Sequence, residues 1–295
     1  MALSVSALRE TADVAAAAAV RAGHLLREWN RDELIVQKKA GGLSKASQVV
    51  TQADLMSQAL IIDMLRPSCE THDFGLLTEE AADDGGRFEK AFFWCVDPLD
   101  GTLPFVERGA GYAVSIALVS RGGVPVVGVV YNPTDDVLYR AVRGGGAFRN
   151  EVPLHQSEST IPKSSVLSFF IDRSFLIHPK FEGTCERLAA AAAKLGLGAL
   201  RVVEGQGAAL NGCAVADTAP ACYFKYPRPE PSGGSLWDFA ASACIATESG
   251  AWVSDMRGAP LHLNRREGTF MNHTGVLYAS SANLARRIQE IYEAS

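Results

Sequence analysis

The residues best able to do chemistry in this chain are carboxylates delivered by apolar runs. In FFWCVDPLDGTLPF, residues 92–105, five apolar residues lead straight to Asp97 and Asp100, which bracket Pro98-Leu99. Glu79 and Glu80 follow FGLLT, Asp238 lies in SLWDFAAS, and Asp54 closes VVTQAD at a helix start. A single acid at the end of a strand commonly caps a turn or a helix. Asp97 and Asp100 together demand more, because Pro98 fixes φ and stiffens the turn between them. Two like charges ~4 Å apart repel by about 4 kcal/mol at an effective dielectric of about 20. Either one proton is shared, or a cation lies between the two carboxylates. Oxygen donors, with no histidine or cysteine in the polar part of the motif, suit Mg²⁺ rather than zinc. Gly101-Thr102 supplies an anion site if a short helix begins there, since its free backbone N–H groups point outwards. Carboxylates, a hard cation and an anion hole side by side describe metal-assisted hydrolysis of a phosphate ester.

Those groups must be carried by strands and helices. Residues 5–29 read as an amphipathic helix on the spacing of Val5, Leu8, Ala12, Ala15, Ala19, Ala22 and Leu26. QKKAGGLSKASQ reads as a loop or hairpin, residues 54–65 as a second helix, FGLLTEE as a short strand ending in two acids, and AADDGGRFEK as a loop. YAVSIALVS, VPVVGVVYNP and DVLYRAVRGGGAFRN are β-branched runs separated by RGG, NPTDD and RGGG, the pattern of a sheet with tight turns. The second half alternates. SSVLSFFID, LRVVE, ACYFKY, AWVSD and GVLYAS are strands, interleaved with helices in FEGTCERLAAAAAKLG, AALNGCAVAD and WDFAASACIATESG and closed by a helix over 283–292. The polar stretch HQSESTIPKSS connects the halves. The expected division is an N-terminal α+β subdomain over 1–158, carrying most of the acids, and a C-terminal α/β subdomain over 159–295, carrying Asp238.

Composition excludes several classes. The 295 residues are 47% apolar and 21% charged, as in ordinary globular proteins. A net charge of −5 lacks the basic face that a nucleic acid polymer requires. No apolar run approaches the roughly 18 to 20 residues of a membrane span. Arg9, Glu10 and Asp13 interrupt the N-terminal segment before its alanine run, against a signal peptide. Six cysteines (Cys69, Cys95, Cys185, Cys213, Cys222, Cys244) without CxxC spacing read as free thiols of a cytoplasmic protein. LRVVEGQGAALNG lacks the third glycine of a dinucleotide-binding turn. His262 and His273 are isolated and read as locally hydrogen-bonded.

DPLDGT at 97–102, the preceding LLTEE, VTQAD at 50–54 and WDFAAS at 237–242 resemble the inositol monophosphatase superfamily. Its members are Mg²⁺-dependent, lithium-sensitive phosphatases and include the 3′(2′),5′-bisphosphate nucleotidases. The likeness extends through GVVYNP, GGGAFRNEVPL, GAALNGCAVAD and ESGAWVSDMRGAPL. It implies a layered αβαβα sugar-phosphatase sandwich, a homodimer, two or three Mg²⁺ per active site, and inhibition by Li⁺. It also implies residue roles. Glu79 would bind one metal and help orient the attacking water, with Glu80 the less suited of the pair. Asp97 would bridge two metals, Asp100 and Asp238 would bind the second, and the Leu99 carbonyl would complete the first site. Thr102 would hold the nucleophilic water with Glu79, and the Gly101 and Thr102 amides would hold the phosphate. Asp54 would tune the proton affinity of Thr102 or assist a weaker third metal.

The metal site does not name the ester. Leu99 within DPLDGT leans towards the bisphosphate nucleotidases, whereas GGGAFRNEVPL leans towards inositol phosphatases. Inositol monophosphatases carry an acid in a Tyr-Tyr-Glu-like stretch that accepts hydrogen bonds from inositol hydroxyls. Here Lys225 follows Tyr223-Phe224, and the loop to Trp237 is longer, proline-rich and basic at Arg228. A cation facing the pocket prefers a second phosphate over a neutral polyol; otherwise Lys225 faces solvent at the sheet end. Arg265 and Arg266 read as surface ion pairs. The expected substrate is 3′-phosphoadenosine 5′-phosphate, with an inositol or sugar phosphate as the alternative. A catalytically silent phosphate- or metal-binding regulator is the reading of another class. The presence of Glu79, Asp97, Asp100, Thr102 and Asp238 together counts against it.

Overall fold

The computed structural model describes residues 3–29, 36–38, 49–156 and 162–294. Helix α1 (Val5–Glu28) begins at Ser4, whose hydroxyl accepts the Ala7 N–H at 3.1 Å, and buries the expected alanine stripe with Leu8 and Leu26. Strands β1 (Val36–Lys38) and β2 (Val49–Thr51) pair antiparallel; residues 39–48, most of QKKAGGLSKASQ, lie outside the described residues. Helix α2 (Gln52–His72) is longer than the expected 54–65 and runs through Pro67. Proline removes one backbone donor, and local bonds keep the last turns in place. Ser68 Oγ donates to Leu65 O at 2.6 Å and accepts the Trp94 indole N–H at 2.9 Å.

A seven-stranded sheet follows in chain order: β3 (Gly75–Thr78), β4 (Phe92–Asp100), β5 (Ala113–Ser120), β6 (Pro125–Asn132), β7 (Val137–Val142), β8 (Gly146–Arg149) and β9 (Val152–Leu154). The β3–β4 pair is parallel, and each later pair is antiparallel. AADDGGRFEK, expected as loop, contains a single helical turn, α3 (Gly86–Glu89), and α4 (Thr102–Val106) starts directly after β4. The second sheet contains β10 (Leu167–Phe170), β11 (Leu200–Val203), β12 (Ala221–Lys225), β13 (Trp252–Ser254) and β14 (Val276–Ala279) in the order β11-β10-β12-β14-β13. Its first three strands are parallel and β14 is antiparallel to its neighbours. The interleaved helices are α5 (Phe181–Lys194), α6 (Ala208–Asp217), α7 (Leu236–Glu248) and α8 (Ala282–Glu293).

Side-chain alternation along the strands divides the interior into three cores. From β4, Trp94 and Val96 face α1 and α2 with Ala15, Leu26 and Ile61. Phe93 and Cys95 face the opposite way, into a core with Cys213 of α6, Phe239 and Ala240 of α7, and Tyr223 and Tyr278 of the second sheet. Phe169, Phe224 and Leu277 on that sheet's far side pack against Leu188 of α5 and Ile288 of α8. The result is the expected αβαβα layering, helices–sheet–helices–sheet–helices. Both faces of each sheet are covered, so their central strands read as nearly unbroken apolar runs. All six cysteines are free thiols, four of them buried. Among the described residues no helix is long and apolar enough to cross a membrane.

Candidate active site

On a regular strand, residues three apart point to opposite faces. Asp97 pairs with Ser115 and Asp100 with Ala113, so three steps on β4 match two on β5. The extra residue is a β-bulge. It turns both carboxylates to the side already occupied by Cys95, towards α6 and α7. The strand runs straight into the acids, as its apolar pattern suggested, and carries them within its last, bulged turn. Two bonds fix the bulge: Leu99 N–H donates to Asp97 Oδ1 at 3.0 Å, and Ser57 Oγ of α2 donates to Pro98 O at 2.8 Å.

Gly101 follows at φ 84°, a left-handed conformation open to glycine, and a Cβ there would lie 2.8 Å from Gly111 O. This turn sets α4 running away from the acids, with Thr102 Oγ1 donating to Leu99 O at 3.2 Å. Asp238 arrives from the opposite layer, in the first turn of α7, where its carboxylate accepts the Ser235 N–H. One oxygen each of Asp97, Asp100 and Asp238 lies within 4.8 Å of the others.

The electrostatics of this cluster are those of a cation site. Burial pushes the proton affinity of Asp97 well above the usual carboxylate range, and the charges of Glu79, Asp100 and Asp238 add to the shift. Asp100 is raised in the same way, by burial and then Asp238, against the opposing Ala209 and Ala208 N–H groups and the Lys225 charge. Asp238, half-buried, is pushed up to about 7 by burial and then by Glu79, with Lys225 and the Ser235 N–H opposing. Glu79 is thus the member of its pair whose charge acts on both Asp97 and Asp238. Its N–H donates to Val96 O at 3.1 Å at the end of β3, while Glu80 N–H donates to Gln58 Oε1 at 3.0 Å. Asp54 is fully buried in the first turn of α2.

The substrate-side expectations meet a residue that the sequence reading passed over. Phe170 of β10 pairs with Tyr223 of β12, so two residues further along Asp172 stands beside Lys225. Lys225 Nζ lies 2.5 Å from Asp172 Oδ2, and the Tyr223 hydroxyl donates to Asp172 Oδ1 at 3.0 Å. With its side chain only 14% exposed and its ammonium 5.1 Å from the centre of the Phe239 ring, Lys225 does not face solvent. Asp172 ends SSVLSFFID just as the other acids end their apolar runs, and that signal could have found it. Arg228 is half-buried and tied through its backbone to Asn272 at 2.8 and 3.0 Å, with its charge adding to the burial that lowers the proton affinity of His178. Arg265 pairs with Glu267 at 3.5 Å, and the Arg266 guanidinium lies over the Phe88 ring.

Comparison with known proteins places the same chain length on the same fold. The model of the inositol monophosphatase family matches residues 7–295. Human inositol monophosphatase 2 is 33% identical over 278 residues, covering 89% of this chain and 86% of the human protein. The 3′(2′),5′-bisphosphate nucleotidase CysQ of Escherichia coli O6:H1 is 35% identical over 237 residues, covering 78% of this chain and 85% of that protein. The crystal structure of the extragenic suppressor protein suhB from Bartonella henselae superposes with a TM-score of 0.73 at 26% identity, over 95% of this chain and 97% of that one.

Proposed function

The chain belongs to the inositol monophosphatase family and is a phosphoric monoester hydrolase; from that premise we propose a Mg²⁺-dependent, water-attacking phosphatase with 3′-phosphoadenosine 5′-phosphate as its substrate. One observation carries the reading: three carboxylates from two layers converge within 4.8 Å, and burial together with neighbouring carboxylates, Glu79 among them, raises their proton affinity. Such a site is relieved by a hard divalent cation, and its donors are all oxygens. Asp97, Asp100, Asp238, Glu79 and the Leu99 carbonyl would hold two ions, and Asp54 would support a third or tune Thr102. When bound, Mg²⁺ supplies an acidified water and neutralises charge on the phosphoryl oxygens.

The chain's own groups do the rest. Glu79 and the Thr102 hydroxyl hold the attacking water and direct it at phosphorus. The Gly101 and Thr102 amides at the start of α4 receive a phosphoryl oxygen. Attack is in line and leaves no covalent intermediate on the protein. The buried thiols take no part, since burial raises their pKa and keeps them as neutral SH groups.

Lys225, on the inner side and within electrostatic reach of Asp100 and Asp238, supports a second phosphate there. A second reading, an inositol or sugar phosphate, has its own support. Asp172 neutralises Lys225 and offers acceptor oxygens to hydroxyl groups. Mg²⁺-dependent phosphate release from 3′-phosphoadenosine 5′-phosphate and from inositol 1-phosphate, side by side at equal low concentration, decides between them. The proposal expects a preference for the nucleotide that Lys225→Met removes; a preference for inositol phosphate in the wild type overturns it. Asp97→Ala should abolish turnover of either ester with the fold intact. Retained turnover would sink the site assignment.

A further inference from the structure

Asp100 is held by a part of the chain far from its own strand. Its Oδ1 accepts the Ala208 N–H at 3.1 Å and its Oδ2 accepts the Ala209 N–H at 2.8 Å. These are the first amides of α6, donors that have no carbonyl partner within a helix. Each carboxylate oxygen retains a further lone pair that can face an ion.

The approach is as close as backbone allows. A Cβ on Gly207 would lie 2.3 Å from Asp100 Oδ2. Gly207 has φ −67° and ψ 167°, angles any residue adopts, so glycine stands there for space and not for conformation. The same segment is keyed to the loop after α4: Gly207 N–H donates to Gly111 O at 2.8 Å, and a Cβ on Gly111 would lie 2.1 Å from Gly205 O. Residues 207–209 thus meet Asp100, and residues 205–207 meet Gly111, through their backbone alone.

We propose that Gly207 and the Ala208 N–H are positioning residues of the metal centre, holding the Asp100 carboxylate in one plane so that it meets Mg²⁺ already oriented. The inference rests on the phosphatase reading above. Without the α6 amides, the Asp100 carboxylate is free to rotate about its side-chain torsions, and the ion must order it on binding.

Ala208→Pro tests this with little cost to the helix. Proline is favoured at the first helical position, and the conformation of Gly207 is the extended one required before proline. The substitution deletes the donor and puts a ring carbon in its place. Gly207→Ala is the companion variant, pushing on Oδ2 instead. Mg²⁺ affinity is read by calorimetry on the full chain, beside the Mg²⁺ dependence of turnover, kcat at saturating Mg²⁺, and the melting temperature in EDTA. The expected result is Mg²⁺ affinity weakened by about tenfold or more, with kcat at saturating Mg²⁺ falling less and the melting temperature of Ala208→Pro in EDTA near that of the wild type. Unchanged Mg²⁺ affinity in folded Ala208→Pro overturns the inference, and so does a lowered melting temperature with unchanged affinity, which marks a purely structural contact. If the wild type itself takes up no Mg²⁺, the phosphatase reading fails first; if it binds normally and the variants bind as well, only the positioning role fails.

Discussion

Substituting Asp97→Asn separates what the carboxylate cluster costs in folding from what it does in turnover. Asp97 is 1% exposed, and its oxygen lies within 4.8 Å of oxygens on Asp100 and Asp238. Two unit charges at that separation repel by about 3 kcal/mol at an effective dielectric of about 20. Asparagine has the same shape and still offers Oδ1 to the Leu99 N–H, which lies 3.0 Å from it in the wild type. Removing the charge therefore relieves repulsion without opening a cavity or orphaning a donor. The wild type relieves part of the same repulsion by taking up protons, so the net gain is about 1–3 kcal/mol without metal. For a chain of this size each kcal/mol moves the melting temperature by about 2 °C, giving a rise of about 2–6 °C in EDTA.

The sign with pH follows from the raised proton affinity of Asp97. A carboxylate whose folded pKa exceeds its unfolded pKa favours the folded state fully below the unfolded value, and that contribution is lost as pH rises through the folded one. In EDTA the wild type should lose stability from pH 5 to pH 9, and Asp97→Asn should lose less. The advantage of the variant is smallest at pH 5 and largest at pH 9. Mg²⁺ reverses the order, because an ion at one thousand times its Kd adds about 4.1 kcal/mol to the wild type alone. Thermal melts with and without Mg²⁺ read all of this, and turnover of the variant should be lost throughout. A variant that melts below the wild type in EDTA at pH 9, or an advantage that does not grow with pH, refutes the reasoning.

Three further outcomes are expected. Gly101→Ala forces an L residue to φ 84° with its Cβ 2.8 Å from Gly111 O. It should lose at least about 1–2 kcal/mol of stability together with most turnover, and a variant with wild-type melting temperature would show that the turn relaxes freely. Thr102→Val should cut kcat by about a hundredfold or more while Thr102→Ser retains most of it; equal rates would remove the hydroxyl from the mechanism. Li⁺ added at constant ionic strength, against a Na⁺ control, should depress Mg²⁺-dependent turnover, and indifference to Li⁺ would set this second metal position apart from that of the lithium-sensitive phosphatases the chain resembles.

How much was legible in the sequence differed by the range of the interactions concerned. Local signals read true: the apolar run into Asp97, the Pro98 and Gly101 turn, the alanine stripe of α1, and the β-branched runs from β5 to β7. Readings failed where neighbours distant in sequence overrode local rules. Helix α2 passes through Pro67 because Ser68 is held between Leu65 and Trp94. Lys225 read equally as a pocket cation or a solvent-facing one, because its partner Asp172 stands beside it only through the register of β10 with β12.

By itself the sequence determined which groups this chain offers: hard oxygen donors at the ends of core strands and helices, and a glycine turn directly after two of them. Those follow from residue type and spacing, which act within a few residues. Convergence was decided by tertiary structure alone. Asp97 and Asp100, three residues apart, would face opposite sides of an unbroken strand; the bulge against β5 brings them together, the start of α6 seats Asp100, and the start of α7 delivers Asp238 from the next layer. Like charges do not assemble unaided. The burial of three packed cores holds these within reach of one another, at a separation that an ion can bridge.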